Sequence, residues 1–384
     1  MSGFKFRRTP GQKSVEKTLD NVLSSGKIHH AFLFTGPEGC GKLSAALEFA
    51  AALLCREKQG EIPCGVCHSC KKSEKGSHPD LSVFFPFITK GNTASSDRDR
   101  VSKFIESTGI EPPIGEKSYE GLEATVRDML LKNPYSDIFR SSGLSIHTAE
   151  VKEAIDKIIS KPFESDSSVT IITECERMNN IAANKFLKTL EEPPPSSRII
   201  LVTSKPDLLL PTIRSRTSIV RFRPLLPGEV KDILISRFGV LEEDASKASE
   251  DSLGNVKRAA SLVGMDSEEI RADASELLES ILSGRSKALS CYESLIKNDK
   301  SHIQNVLEHV LIILYDIFIF HNVKKEENNF ISNKIKHFLE ELDNTDLEVF
   351  KNSTEKALYA LKKNAAPSPL LYSYFLFLTS EEKA

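Results

Sequence analysis

The sequence has 384 residues, which is enough for two or three domains rather than one ordinary core. Hydrophobic residues make up 40% and charged residues 27%, which is the balance of a globular protein. The formal net charge of -3 excludes a strongly basic nucleic-acid-binding protein. Any DNA contact would therefore need a local basic patch or partner subunits.

The amino terminus, residues 1–8, lacks the apolar run of a signal peptide. The most hydrophobic stretch, residues 303–320, contains Glu308 and Asp316, which predicts a buried helix rather than a membrane span. The seven cysteines are an odd number, which argues against a disulfide framework. We therefore expect a cytoplasmic protein that makes no membrane contact.

The predicted elements alternate between strands and helices in the first half of the chain. Residues 31–34 have the pattern of a buried strand, and residues 43–54 that of a helix rich in Ala and Leu. Two further strands are predicted over 169–172 and 199–202, with a helix over 181–190 between them. Strands separated by helices indicate a parallel sheet of α/β type.

Beyond Pro224 the strand patterns give way to helical ones. A small helical unit is predicted over 227–263, and amphipathic helices follow to the end of the chain. The segment 90–142 is rich in Ser, Gly, Asp and Lys, which predicts an exposed insertion with a few short helices. The predicted domains are three: residues 1–225, 226–266 and 267–384.

A glycine-rich loop follows the first predicted strand. Residues 36–42 match the first seven positions of G-x-x-x-x-G-K-[ST] and stand between a strand and a helix, as that motif requires. Gly36, Gly39 and Gly41 would let backbone N–H groups converge on a phosphate, and Lys42 would reach the terminal phosphates. We predict a phosphate loop, with a glycine-rich turn and a surface lysine as the alternative.

The two positions that support Mg²⁺ in a working P-loop ATPase are altered. Leu43 stands where a hydroxyl is needed, and Ser44 is turned away by about 100° on a helix. Thr173 and Glu174 follow the second strand where such ATPases carry Asp-Glu, so the metal-supporting carboxylate is missing. We predict that the Mg²⁺ site is lost and that the chain alone does not hydrolyse ATP; nucleotide binding without hydrolysis stays open.

Four cysteines stand close together in a C-x8-C-x2-C-x2-C pattern: Cys55, Cys64, Cys67 and Cys70. Four thiolates close a tetrahedral shell around Zn²⁺ and leave no open position, which predicts a structural zinc module over residues 55–70. His68 is a competing ligand that its place inside the last knuckle disfavours. Reduced cysteines without metal are the alternative, and the other three cysteines are predicted to be small buried hydrophobes.

Together with the loop and the cysteine module, three segments resemble the clamp-loader branch of the AAA+ ATPases. Residues 30–34 (His-Ala-Phe-Leu-Phe) precede the loop, and residues 184–194 end in the rather specific string Leu-Glu-Glu-Pro-Pro. Residues 209–217 are similar to the segment that carries the family's Ser-Arg-Cys motif. The resemblance covers the chain from about Gly11 to Val263, except the insertion, and is weak in the C-terminal helices.

The resemblance implies an AAA+ P-loop domain, a small helical lid domain and an all-α collar domain. It implies that Arg216 is an arginine finger for ATP bound by a neighbouring subunit, although Thr217 departs from the motif's Cys. The family's first sensor would fall at Thr203 or Ser204. Lys257 matches the second sensor, which is usually Arg. A lysine keeps the positive charge but lacks the forked pair of donors of a guanidinium.

Within that family, the combination of altered magnesium positions and a retained Ser-Arg is similar to the delta-prime subunits of bacterial DNA polymerase III clamp loaders. These are stators without hydrolysis of their own. The resemblance implies gamma/tau and delta subunits as partners in a five-subunit ring, with a sliding clamp and primed DNA met through the complex. A catalytically active gamma/tau-type motor subunit and a zinc-containing DNA-binding protein are the alternatives.

Overall fold

The computed structural model divides the chain into two compact units, Met1–Val263 and Gly264–Ala384. It describes these residues: 4–7, 9–57, 63–88, 94–108, 110, 112, 118–136, 138, 144–263, 267–322, 342, 344–362 and 365–379. Among the described helices, none is both long and apolar enough to cross a membrane. The finer division into three domains stays a prediction.

The first unit is built on a sheet of five parallel strands in the order β2-β3-β4-β1-β5. The strands are β1 (Ala31–Thr35), β2 (Leu81–Phe84), β3 (Ser168–Thr173), β4 (Ser197–Thr203) and β5 (Ser218–Arg221). The strands β1 and β3 are buried along their whole length because helices cover both faces of the sheet. The predicted α/β class with a parallel sheet is confirmed.

The helices of the first unit are α1 (Lys13–Ser24), α2 (Lys42–Leu54), α3 (His68–Glu74), α4 (Ala94–Thr108), α5 (Tyr119–Lys132), α6 (Thr148–Ile159), α7 (Asn180–Glu191), α8 (Pro211–Arg214), α9 (Pro227–Phe238), α10 (Glu242–Glu250) and α11 (Val256–Leu262). Alternate residues of β1 face opposite sides of the sheet. Phe32 and Phe34 pack in one core with Phe49 of α2, and Leu33 packs in the other with Phe186 of α7.

Three features of the first unit differ from the sequence expectations. The strands β2 and β5 were not predicted, and each has only four residues. Within the insertion, α4 and α5 are 15 and 14 residues long, so the expectation of short helices is wrong. The described part of the insertion is not exposed throughout, since Phe104, Leu122 and Leu130 are buried in the core. Insertion residues 89–93, 109, 111, 113–117, 137 and 139–143 lie outside the described residues.

The regular elements among the described residues of the second unit are all helices. Its helices are α12 (Ser267–Leu282), α13 (Arg285–Leu295), α14 (Lys300–Asn322), α15 (Asn344–Lys362) and α16 (Pro367–Leu378). The central helix α14, which includes the hydrophobic stretch seen in the sequence, packs against α12 and α15. Phe350 and Phe375 are almost fully buried in the core of this unit.

Candidate functional site

The carboxyl ends of β1, β3 and β4 meet at one edge of the sheet, because parallel strands end on the same side. The phosphate loop leaves β1 at this edge and runs into α2. A cleft, called the loop cleft below, opens there. Its lining includes Glu38, Gly39, Gly41, Lys42, Leu43, Leu130, Pro134, Tyr135, Ser136, Thr173, Glu174, Ser204 and Lys257.

The lysine of the phosphate loop is turned back onto the loop itself. The Nζ of Lys42 donates a hydrogen bond to the carbonyl of Gly36 at 2.8 Å and another to the carbonyl of Pro37. The side chain is buried, and this burial lowers the pKa of Lys42, although Cys40 and Glu174 act in the opposite direction. The ammonium group is therefore satisfied by backbone carbonyls in the place where a phosphate would meet it.

The amino end of α11 is attached to the tip of the loop. The Val256 N–H donates to the Gly39 carbonyl at 3.2 Å, and the Nζ of Lys257 lies 3.2 Å from the Glu38 carboxylate. Asn255 caps α11 and sits so close that a Cβ on Gly39 would lie 1.8 Å from its Oδ1. The structure thus places Lys257, the proposed second sensor, beside the loop; its role as a sensor stays a prediction.

The two altered magnesium positions both line the loop cleft. Leu43 offers a buried hydrocarbon side chain, and Thr173 ends β3 as a buried hydroxyl. The hydroxyl of Ser44 does not replace the missing ligand, since it lies 2.8 Å from the Thr9 hydroxyl on the side of Glu48. The lining therefore lacks both groups that support Mg²⁺ in a working site.

Glu174 supplies a carboxylate at the end of β3 in an unusual backbone conformation. Its φ of 50° is in the left-handed region, and its carboxylate lies 3.9 Å from the Nε of Arg177. The neighbouring Glu176 is turned inward. Burial and then the charge of Glu174 raise the pKa of Glu176. One carboxylate at the cleft without its metal partners can orient a water, but it cannot hold the metal by itself.

The four clustered cysteines come together around one point. The Sγ atoms of Cys55 and Cys67 are 4.0 Å apart, those of Cys64 and Cys70 are 3.8 Å apart, and all four lie within 4.8 Å of one another. Zn–S bonds of about 2.3 Å in a tetrahedron place sulfurs about 3.8 Å apart. The donor set and its spacing therefore fit a structural zinc ion.

Backbone N–H groups donate to two sulfurs of this cluster and favour the thiolate form of Cys67, whereas burial raises the pKa of Cys55 and of Cys70. The Cys67 N–H donates to the Sγ of Cys64 at 3.3 Å, and the Cys70 N–H donates to the Sγ of Cys67 at 3.4 Å. Burial alone would raise the pKa of Cys67, but the N–H groups of Cys70 and Arg56 lower it to about 6. His68 starts α3 next to these sulfurs, and it is not part of the four-ligand group.

The proposed finger, Arg216, lies on the segment that follows α8. Its Nη2 is 2.7 Å from the Glu191 carboxylate, and its Nη1 donates to the Thr212 carbonyl at 3.1 Å. The side chain is 35% exposed, and these contacts keep the guanidinium at the surface instead of in the core. Arg214 pairs instead with Asp207 at 3.3 Å. Arg216 is accessible to a neighbouring molecule.

Sequence reasoning missed several residues that the structure brings to these sites, among them Tyr135 and Glu191. Tyr135 enters the loop cleft from the turn after α5, and no periodic pattern or motif marks it in the sequence. Glu191 contacts Arg216, and the signal for it was present, since it belongs to the Leu-Glu-Glu-Pro-Pro string. The pairing itself could be found only from the fold.

The chain matches a known protein family over most of its first unit. The family described as "DNA polymerase III, delta subunit" matches residues 11–226, more than half of the chain. The chain belongs to this family. It is 28% identical to the DNA polymerase III subunit delta' of Bacillus subtilis (strain 168) over 314 residues, which cover 80% of this chain and 77% of that protein.

Members of a related group are also similar to the chain. The DNA polymerase III subunit gamma/tau of Mycobacterium tuberculosis is 30% identical over 244 residues, which are 62% of this chain but only 33% of that longer protein. Among solved structures, a gamma subunit-related protein from Thermotoga maritima is 18% identical, with a TM-score of 0.34 over 95% of this chain and 99% of that one.

Proposed function

We propose that this chain is the delta-prime subunit of a bacterial DNA polymerase III clamp loader. It acts as a stator that hydrolyses no ATP itself and supplies Arg216 to the ATP of a neighbouring motor subunit. The observation that carries this proposal is a contrast between two sites. The loop cleft has Leu43 and Thr173 at the magnesium positions, whereas Arg216 stands accessible at the surface.

The role of Arg216 follows from guanidinium chemistry. The group is always charged and can donate two parallel hydrogen bonds to phosphate oxygens, so it can stabilise the charge that develops during phosphoryl transfer. Its present partner, Glu191, is itself partly exposed, so a nucleotide phosphate from another subunit can compete for the guanidinium. Because the guanidinium is already at the surface, Arg216 can exchange Glu191 for a phosphate without first being uncovered.

The remaining parts of the proposal rest on the family and on the cysteine geometry. Residues 1–225 form the AAA+ domain, residues 226–266 the lid and residues 267–384 the collar. The partners are gamma/tau and delta subunits in a five-subunit ring, which brings the chain to a sliding clamp and primed DNA in the cytoplasm. A structural Zn²⁺ bound by the four clustered cysteines would hold the module that follows α2.

The test is DNA-stimulated ATP hydrolysis by the reconstituted clamp loader containing wild-type chain or Arg216→Ala. An arginine finger is worth about 10³-fold or more at the site that it serves. Because other subunits in the ring hydrolyse independently, we expect total turnover to fall about twofold or more. Arg214→Ala is the matched control, since it removes a neighbouring surface arginine that pairs with Asp207.

The purified chain by itself belongs in the same experiment. A silent isolated chain, together with a loss that Arg216→Ala shows and Arg214→Ala does not, would support the stator. Turnover by the isolated chain with Mg²⁺ would favour the gamma/tau-type motor, to which the chain is also similar. Tight, specific gel-shift binding by the chain alone would favour a zinc-containing DNA-binding protein.

A further inference from the structure

The turn after α5 enters the loop cleft from the side of the insertion. Its residues Pro134, Tyr135 and Ser136 line the same cleft as Gly41 and Lys42. Although it lies in an irregular segment, Tyr135 is only 2% exposed. A large aromatic side chain is thus buried where a P-loop protein receives its nucleotide.

The Tyr135 side chain lies directly against the last glycine of the phosphate loop. A Cβ built on Gly41 would be 3.0 Å from the Tyr135 hydroxyl. Gly41 is the residue before α2, where the first free N–H groups of that helix converge to bind a phosphate. The hydroxyl is also beside Ser44, and burial raises its pKa, so it stays neutral.

The turn that carries Tyr135 is fixed by local hydrogen bonds. The Tyr135 N–H donates to the Oδ1 of Asn133 at 3.2 Å, and the Ser136 hydroxyl donates to the Asn133 carbonyl at 2.7 Å. Just before it, Leu130 of α5 is buried in the main core of the first unit. The position of the ring is therefore set by the fold, not by a free loop.

Little enclosed space is left in the loop cleft. Its enclosed part measures about 30 Å³, which is room for about two water molecules. Lys42, which would attract the phosphates, is engaged by the Gly36 and Pro37 carbonyls.

We propose that Tyr135 blocks the phosphate loop, so that this chain excludes nucleoside triphosphates instead of binding them without hydrolysis. The altered residues Leu43 and Thr173 remove magnesium support, but they would still permit a metal-free nucleotide to bind the loop. Tyr135 adds a steric barrier that acts before any metal is needed. This barrier concerns the chain's own loop and does not depend on the role of Arg216.

The test is a calorimetric titration of the purified full-length chain with ATP, in EDTA and again with Mg²⁺. We expect no binding by the wild-type chain up to millimolar ATP. Tyr135→Ala should bind ATP at least tenfold more tightly in EDTA. Tyr135→Phe keeps the ring and should behave as the wild type. Adding Lys42→Ala to Tyr135→Ala should abolish the gain, because the phosphates then lose their cation.

Several results would overturn the blocking role. Wild-type binding of ATP below about 100 µM would do so without reference to any variant. A folded Tyr135→Ala chain that still fails to bind would do so as well, as would a gain that survives Lys42→Ala. Circular dichroism and a thermal melt establish folding, and Tyr135→Leu replaces Tyr135→Ala if the smaller side chain unfolds the protein.

Discussion

The guanidinium of Arg216 lies 2.7 Å from the carboxylate of Glu191, the last residue of α7. Both side chains are partly exposed, so water weakens their attraction. The pair joins the end of one helix to the segment after α8 without belonging to the core. It therefore orders the arginine more than it stabilises the fold.

From this pair we predict that Arg216→Ala lowers the free energy of unfolding by no more than about 1 kcal/mol, because exposed ion pairs contribute about 0–1 kcal/mol. Glu191→Gln should have an effect of similar size. Urea unfolding followed by circular dichroism measures both. A loss above about 2 kcal/mol would mean that Arg216 is structural, and the hydrolysis test would then no longer isolate a finger.

The four-cysteine cluster predicts one zinc ion per chain and a dependence of stability on that ion. Cys64→Ser removes one of four sulfurs whose spacing fits a tetrahedral shell, so the metal content should fall well below one per chain. Elemental analysis of the purified protein checks this. Cys291→Ala is the matched control, since this buried cysteine lies in the second unit. A folded wild-type preparation without metal would contradict the prediction.

The long apolar runs of the sheet could be predicted from sequence, whereas its short strands could not. β1 and β3 are buried at every position and β4 at every position except Arg198, and their Ile, Val, Phe and Leu residues mark them without any tertiary information. β2 and β5 have four residues each; Ser82 of β2 is only partly buried, and Ile219 and Arg221 of β5 are exposed. Such strands exist because a neighbouring strand pairs with them, and pairing is not visible in one short segment.

The candidate sites also divide into parts that are local in sequence and parts that depend on tertiary contacts. The phosphate loop and the cysteine cluster are local in sequence, so residue type and spacing were sufficient to predict them. Tyr135 lies beside Gly41, which is 94 positions away in the sequence, and Glu191 pairs with Arg216, which is 25 positions away. Such contacts depend on how α5 and α7 pack, and no pattern within the segments themselves reports that packing.

Asp80 holds a backbone segment beside the cysteine module. Its carboxylate accepts hydrogen bonds from the N–H groups of Phe163, Glu164 and Ser165 at 2.5, 2.9 and 2.8 Å. Burial alone would raise the pKa of Asp80, but these three donors lower it. The ionised carboxylate is thus favoured in the folded chain, which links this contact to pH.

We predict that Asp80→Asn costs about 1–3 kcal/mol of unfolding free energy at pH 7, because an amide cannot accept at all three donors. A lowered folded-state pKa means that the stabilisation is present above the unfolded-state pKa of about 3.9. It is lost as the pH falls through the folded-state value. Urea unfolding at pH 7 and at decreasing pH measures this difference between wild type and variant.

The control for Asp80 is Asp128→Asn, which changes an exposed carboxylate paired with Lys132 on α5. This variant should stay within about 0.5 kcal/mol of wild type at both ends of the pH range. If Asp80→Asn were equally harmless at pH 7, or if its cost did not decrease in acid, the three hydrogen bonds would not stabilise the fold as described.

Gly254, in the turn before α11, has both a conformation and an environment that exclude a side chain. Its φ is +74°, and a Cβ there would lie 2.4 Å from the carbonyl oxygen and 2.6 Å from the nitrogen of Leu225. These are backbone atoms, and the Leu225 N–H also donates to the Gly254 carbonyl, so neither partner can move freely. Gly254→Ala should therefore lower the free energy of unfolding by about 1–3 kcal/mol.

The control is Gly228→Ala, in the first turn of α9, where nothing lies within 4 Å of the added Cβ. This variant should be neutral or stabilising by up to about 1 kcal/mol. Urea unfolding of both variants decides the matter, and equal effects of the two substitutions would show that the approach to Leu225 does not constrain this turn.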